Sequence, residues 1–215
     1  MQFFHSIFDF IFHTEQVVPH IMQEYGTLFY WILFLVIFCE TGLVVTPFLP
    51  GDSMIFLVGS LAANELNHLN IWILGASLVT AAVGGNILNY EIGRYLGPRV
   101  LKVDRWFLKK KYLDRAQRFY ELHGGKAIML SRFMPILRTF APFVAGVGRM
   151  NRRRFHLFNF FSGAGWVLLF LLLGFSFGQL KIVEHNIKLV TIGIIIISFA
   201  PIVIAYYRQK AKNKS

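Results

Sequence analysis

The sequence predicts an all-α polytopic membrane protein with two opposed re-entrant helical hairpins, about three full transmembrane helices and amphipathic interfacial helices. It also carries the trace of an inverted repeat. Three observations lead there. Of 215 residues, 55% are hydrophobic and 15% charged, against roughly 45–50% and about 25% in soluble domains, and the mean hydropathy is +0.54. Charge is sorted along the chain: residues 1–93 hold seven acids (Asp9, Glu15, Glu24, Glu40, Asp52, Glu65, Glu91) and no base, while all 22 Lys and Arg lie from Arg94 onward. Two long apolar stretches are broken internally by proline and glycine. The composition excludes disorder, collagen and disulfide scaffolds and disfavours a soluble enzyme. The net charge of +11 could suggest nucleic acid, but its separation into halves is the mark of a membrane protein that sorts charge by side.

Residues 1–26 mix Phe, Ile and Val with His and acids, too polar to span, and predict an interfacial helix. With neither a basic leader and cleavage site nor a lipidation box, the chain is expected to enter the membrane through its own spans. Residues 27–63 are apolar around a polar centre, Cys39-Glu40-Thr41-Gly42 and then Thr46-Pro47-Phe48-Leu49-Pro50-Gly51-Asp52. Pro47, Pro50 and Gly51 cannot continue a straight helix, so this segment reads as a first re-entrant hairpin. After the polar stretch 64–70, residues 71–93 form a span, Ile71 to Tyr90 alone giving ~30 Å at 1.5 Å per residue. Residues 94–126 carry ten bases and three acids, with apolar residues at helical spacing, and predict a basic amphipathic helix on the cytoplasmic face that meets anionic headgroups.

Residues 127–148 are apolar but contain Arg132, Pro135, Arg138 and Pro142. Both flanks are strongly basic, so both belong on the cytoplasmic side. A segment that starts and ends on one side must dip in and return, which makes it a second re-entrant hairpin, broken near Pro135–Pro142. Irregular backbone at that depth requires a protein-lined or water-lined setting. Residues 155–177 and 190–207 are further spans, and 208–215 a basic tail that places the C-terminus in the cytoplasm. Gly84, Gly93 and Gly97 share the offsets of Gly165, Gly174 and Gly178, as two copies of a hairpin followed by a span would. In the inverted arrangement the N-terminus lies outside; if residues 27–46 cross fully, it lies inside.

Glu40, Asp52, Arg132 and Arg138 stand apart from the sorted charge. Each costs roughly 2.5–3.5 kcal/mol at a span centre. They fall in the two broken segments, acids in the first and arginines in the second. As buried ion pairs alone they would gain little over apolar packing. Arginine binds phosphate with a bidentate fork and stays charged, and a carboxylate in a low-dielectric cavity can carry a proton. Together they predict a proton-coupled anion site: Arg132 and Arg138 for the phosphate, Glu40 and Asp52 for protons, with Pro47, Pro50, Gly51, Pro135 and Pro142 shaping the breaks. Asn86, Asn89, Tyr90 and Thr139 are candidate cavity-lining residues, with polar packing between helices as their simpler reading. The seven histidines are scattered, so no metal or other cofactor is expected. Cys39, the single cysteine, reads as a small apolar residue in a helix.

The stretch Phe38-Cys39-Glu40-Thr41-Gly42 through Pro47-Phe48-Leu49-Pro50-Gly51-Asp52-Ser53 resembles the first signature of the DedA family of SNARE-associated, VTT-domain inner-membrane proteins. His123-Gly124-Gly125, Arg132-Phe133-Met134-Pro135, Arg138-Thr139 and Ala141-Pro142-Phe143-Val144-Ala145-Gly146 resemble the second. The likeness covers nearly the whole chain. It implies a bacterial inner-membrane protein with two opposed hairpins that supports envelope integrity. By the same likeness it transports undecaprenyl phosphate or a phospholipid with the proton-motive force, and its essential acids and arginines fall on Glu40, Asp52, Arg132 and Arg138. The expected partners are membrane lipids, a polyprenyl phosphate or anionic phospholipid, together with protons and a further copy of the chain, but no nucleic acid. The competing readings are a passive scramblase, a membrane-homeostasis scaffold, and a membrane phosphatase. The phosphatase would need a histidine beside the arginines, and His123 and His156 lie at the wrong edge, so the chain is not expected to be an enzyme.

Overall fold

The helix ends follow from short polar signals. Asn70 Oδ1 accepts the backbone N–H of Trp72 (2.9 Å) and Ile73 (3.2 Å), an N-cap that starts one long helix. Asn151 Oδ1 does the same for Arg154 N (3.2 Å) at the other. Pro135 opens a third helix at its first position, where a missing N–H costs nothing. The computed structural model describes residues 24–43, 51–64, 68–100, 125–132, 135–178, 180 and 193. Its elements are α1 (Leu28–Gly42), α2 (Gly51–Ala62), α3 (Ile71–Val100), α4 (Gly125–Ser131), α5 (Pro135–Val147) and α6 (Arg152–Phe177). No strand occurs among the described residues.

α3 and α6 have 30 and 26 residues, about 45 and 39 Å at 1.5 Å per residue, and both are long and apolar enough to cross a bilayer. α1, α2, α4 and α5 have 15, 12, 7 and 13 residues, short of the ~20 needed. On α6 the exposed face is the apolar one: Leu157, Phe160, Phe161, Leu168 and Leu172 are exposed, while Asn159 is buried. A soluble helix hides its apolar stripe; lipid permits the reverse.

The chain divides into two units. One takes α1 to Leu35, α2, α3 to Leu78 and the end of α6 from Val167. The other takes the last turns of α1, α3 from Val79, α4, α5 and α6 to Trp166. In the first, Tyr30 Oη accepts the Asn70 N–H (3.0 Å) and ties α1 to the start of α3. In the second, Tyr90, Ile128, Ala141, Ala145 and Phe155 form the apolar core, with the Tyr90 and Phe155 rings stacked at 4.2 Å.

Glycines mediate helix crossings in both units, and besides the close approach of Gly42 and Gly85 between α1 and α3 two crossings share a pattern, one in each unit. In the second, a Cβ at Gly93 would fall on the Phe143 carbonyl and one at Gly146 on the Tyr90 carbonyl, while one at Gly97 would stand 3.2 Å from Val147 Cα. In the first, Gly174 faces the Phe56 carbonyl, Gly59 the Leu171 carbonyl and Gly178 the Ser60 side chain. The spacing is the same in both: each long helix places one glycine three residues after the residue whose carbonyl is approached, Tyr90 or Leu171, and another four beyond. Missing side chains let the backbones close to Cα–H···O range. The first glycines of the two trios differ, since Gly84 meets the Phe38 ring and Gly165 meets nothing within 4 Å.

Three expectations are corrected. The break expected near Pro135–Pro142 lies earlier, between α4 and α5, and Pro142 sits inside α5. Proline at a first helical position starts a helix, so Pro135 ends the break. The span drawn as 71–93 runs on to Val100, so the basic segment drawn as 94–126 begins inside α3. The helix of the span drawn as 155–177 begins at Arg152, set by the Asn151 cap. Pro47, Pro50, most of the 1–26 helix, the 190–207 span and the 208–215 tail lie outside the described residues.

Gly93→Ala and Gly174→Ala should each destabilise the protein by about 1–3 kcal/mol through overpacking against a backbone carbonyl. Gly165→Ala should be neutral or gain up to ~1 kcal/mol of helix propensity. Thermal unfolding of the three variants in one detergent checks the contrast.

Candidate functional site

The sorted charge of the sequence leaves Glu40, Arg132 and Arg138 without a topological reason, and the second unit brings these three together. Glu40 stands in the last turn of α1, Arg132 directly after α4, and Arg138 in the first turn of α5. All three therefore sit near helix ends, where the backbone itself offers unpaired polar groups. Glu40 is 0% exposed, Arg132 3% and Arg138 4%. The Arg138 guanidinium donates from Nη2 to Glu40 Oε1 in a buried ion pair. The Trp166 ring lies under both arginines, 4.7 Å from Arg138 Cζ and 5.8 Å from Arg132 Cζ. Its π face offsets part of their charge without supplying an anion.

Arg132 is held by neutral groups. Its Nη2 donates to Asn159 Oδ1 (2.8 Å) and its Nε to Ser162 Oγ (3.2 Å). Its Nη1 is buried with no hydrogen-bond partner among the described residues. Gly163 makes the space: a Cβ there would stand 2.9 Å from Arg132 Nη2 and from Val83 Cγ2. Asn159, Ser162, Gly163 and Trp166 follow at i, i+3, i+4 and i+7, one face of α6.

The other predicted residues divide among several tasks. Asn89 Nδ2 donates to the Thr41 carbonyl (3.2 Å) and to the Thr139 carbonyl (2.8 Å). The first is an end carbonyl of α1, and the second lies in the turn of α5 that Pro142 weakens by lacking an N–H. Asn89 thus fastens the helix carrying Glu40 to the helix carrying Arg138. The Asn86 amide, oriented by its neighbours, accepts from Arg132 Nη2 (2.6 Å) and donates to the Thr41 carbonyl (3.2 Å). Tyr90 belongs to the apolar core, its hydroxyl donating to the Met150 carbonyl and accepting from Arg94 Nη1 (3.0 Å). Thr139 is buried. These are contacts between helices, the simpler of the two readings for this group. Asp52 is half-buried in the first turn of α2 and belongs to the first unit. Gly51 is the first residue of α2. Glu91 pairs with Arg152 in an exposed bidentate bridge (2.9 and 2.8 Å). Among the described residues no group of three His, Cys, Asp or Glu could hold a metal.

Sequence reasoning missed Asn159, Ser162, Gly163 and Trp166. The available signal was an asparagine, a serine and a tryptophan at i, i+3 and i+7 in an apolar span, where polar side chains need partners.

The VTT domain model matches residues 49–176. The chain is 46% identical to Protein DedA of Escherichia coli strain K12 over 211 residues, covering 98% of this chain and 96% of that protein. It is 36% identical over 182 residues to the uncharacterized membrane protein ML0287 of Mycobacterium leprae strain TN, covering 83% and 81% of the two chains. With the inner membrane protein YqjA of E. coli K12 it shares 32% over 196 residues, covering 87% and 88%. No solved structure matches the chain with significance.

Removing one partner of the buried pair should be costly, because the other charge stays behind in an apolar interior. Glu40→Gln is expected to destabilise by about 3–5 kcal/mol, and Glu40→Gln combined with Arg138→Met by clearly less. A double-mutant cycle by denaturant titration in detergent measures both.

Proposed function

The chain belongs to the DedA family of VTT-domain membrane proteins, and on that footing we propose that it carries a lipid-linked phosphate across the bacterial inner membrane, driven by the proton-motive force. The observation that carries this reading is the charge balance of the buried cluster. Among the described residues two buried guanidiniums stand with one buried carboxylate, a donor-rich arrangement of the kind that binds a phosphate. Charge this deep in an apolar helical protein points to a transport path before it points to packing. The lipid tail remains among the exposed apolar side chains while the phosphate enters between Arg132 and Arg138. No residue has a catalytic role, and no cofactor is needed.

Proton coupling follows as an exchange of partners. An arriving phosphate pairs with Arg138 and displaces Glu40, which takes up a proton as it loses its cation. When the phosphate leaves, Glu40 returns its proton and closes on Arg138 again. Asp52, in the first turn of α2 just after the proline-rich break, is assigned the corresponding role in its own unit.

The same reading takes α1 with α2, and α4 with α5, as two re-entrant hairpins of opposite sense related by an inverted repeat. Four helices too short to cross, the basic flanks of residues 127–148 and the equal spacing of the two glycine crossings support it. The basic tail places the C-terminus in the cytoplasm.

Vesicles reconstituted with the protein test the proposal, using a polyprenyl monophosphate and ordinary phospholipids with and without a pH gradient. Gradient-dependent movement of the monophosphate is expected. Arg132→Ala and Arg138→Ala should insert normally yet lower the rate by at least about a hundredfold, the scale of losing a charge-assisted bidentate contact. Undiminished transport in either variant sinks the proposal. Movement indifferent to the gradient indicates a scramblase, and none at all a scaffold.

A further inference from the structure

The two arginines are supported in different ways, and the difference is chemical. Arg138 has a carboxylate. Arg132 has an amide oxygen, a hydroxyl and an aromatic face. Those three supports come from a single face of α6, Asn86 on α3 adds a further neutral amide at 2.6 Å from Nη2, and Gly163 on the same face of α6 clears room for the guanidinium.

The amide is itself tightly oriented. Asn159 is 0% exposed. Its Nδ2 donates to the Val83 carbonyl (3.0 Å), which fixes Oδ1 toward Arg132. The Asn86 amide of α3 lies beside it, 2.6 Å from Arg132 Nη2, where its oxygen accepts from the guanidinium and its Nδ2 donates to the Thr41 carbonyl (3.2 Å). The supports can orient Arg132, but they cannot neutralise it. A carboxylate of the same shape would orient it equally well and would cancel the charge. The side with the buried Nη1 remains available for a further acceptor.

We propose that Asn159 is a positioning residue that holds Arg132 with a dipole, so that its charge stays available to the phosphate of the carried lipid. Ser162 and Gly163 complete the holder. The inference rests on the phosphate-carrier reading above and adds a specific requirement to it: the support of Arg132 must be neutral. A purely structural role for Asn159 makes the opposite demand. Aspartate keeps the size and the acceptor for Arg132, and it strengthens that bond. Aspartate does lose the donor to the Val83 carbonyl, so Ser162→Asp, which leaves that contact intact, separates the charge effect from folding.

The test uses the full chain in detergent with Trp31, Trp72 and Trp106 changed to Phe, so that Trp166 alone reports on the guanidiniums. Farnesyl monophosphate is titrated, with farnesol as the uncharged control. The parent should show saturable quenching by the phosphate and none by the alcohol. Asn159→Ala should weaken binding about tenfold, the scale of one hydrogen bond to a charged group. Asn159→Asp should weaken it about a hundredfold, because its own carboxylate occupies Arg132. Ser162→Asp, which offers a carboxylate to Nε with Asn159 intact, should match Asn159→Asp, and it decides the matter if Asn159→Asp does not fold. Binding by the aspartate variants no weaker than by Asn159→Ala overturns the inference while leaving the carrier reading in place. A parent with no response to the phosphate overturns both.

Discussion

Charge without water must be answered by protein atoms, and that constraint organises the second unit. Glu40 and Arg138 answer each other, which fixes the end of α1 against the start of α5. The neighbouring elements then serve this arrangement. Asn89 bonds a carbonyl on each of those two helices, and Trp166 lies under both arginines. In a low-dielectric interior such bonds are strong when complete and costly when partial. The cluster therefore specifies one arrangement of four helices more narrowly than apolar contacts in lipid could, since lipid is as apolar as leucine.

The outward half of the structure follows a looser rule. Leu157, Phe161 and Leu172 are exposed on α6, and lipid-facing side chains of this kind need only be apolar. Precision is concentrated where helices touch: at the glycine crossings, at the amides of Asn86, Asn89 and Asn159, and at the stacked Tyr90 and Phe155 rings. Exposed leucines and buried asparagines express the same physics seen from two sides of one helix.

Sequence made the long spans legible because hydropathy over twenty residues is a sum, insensitive to detail. It also isolated Glu40, Arg132 and Arg138, since an ionisable residue in an apolar run has few explanations. Local detail was harder. Pro142 looked like a break, but it sits inside α5; it frees the Arg138 carbonyl at i−4, and the adjoining Thr139 carbonyl is bonded by Asn89, 50 residues away in sequence. Asn159 and Trp166 escaped notice for a related reason. Their importance comes from what approaches them, and Arg132 reaches α6 from a different element of the chain. Helix ends were misplaced by three to seven residues where a cap, Asn151, or an uninterrupted helix, α3, set the boundary.

The glycine crossings also bear on how such a chain is made. α3, from the first half of the sequence, closes on α5 from the second, and α6 from the second closes on α2 from the first. Neither of these two crossings lies within one half of the chain. During synthesis the earlier helices must therefore wait in the membrane with these glycine faces bare until residues about fifty to a hundred and twenty positions later arrive. Over that interval the ribosome and the insertion machinery, more than the polypeptide, decide whether those faces meet their own partners or those of another chain.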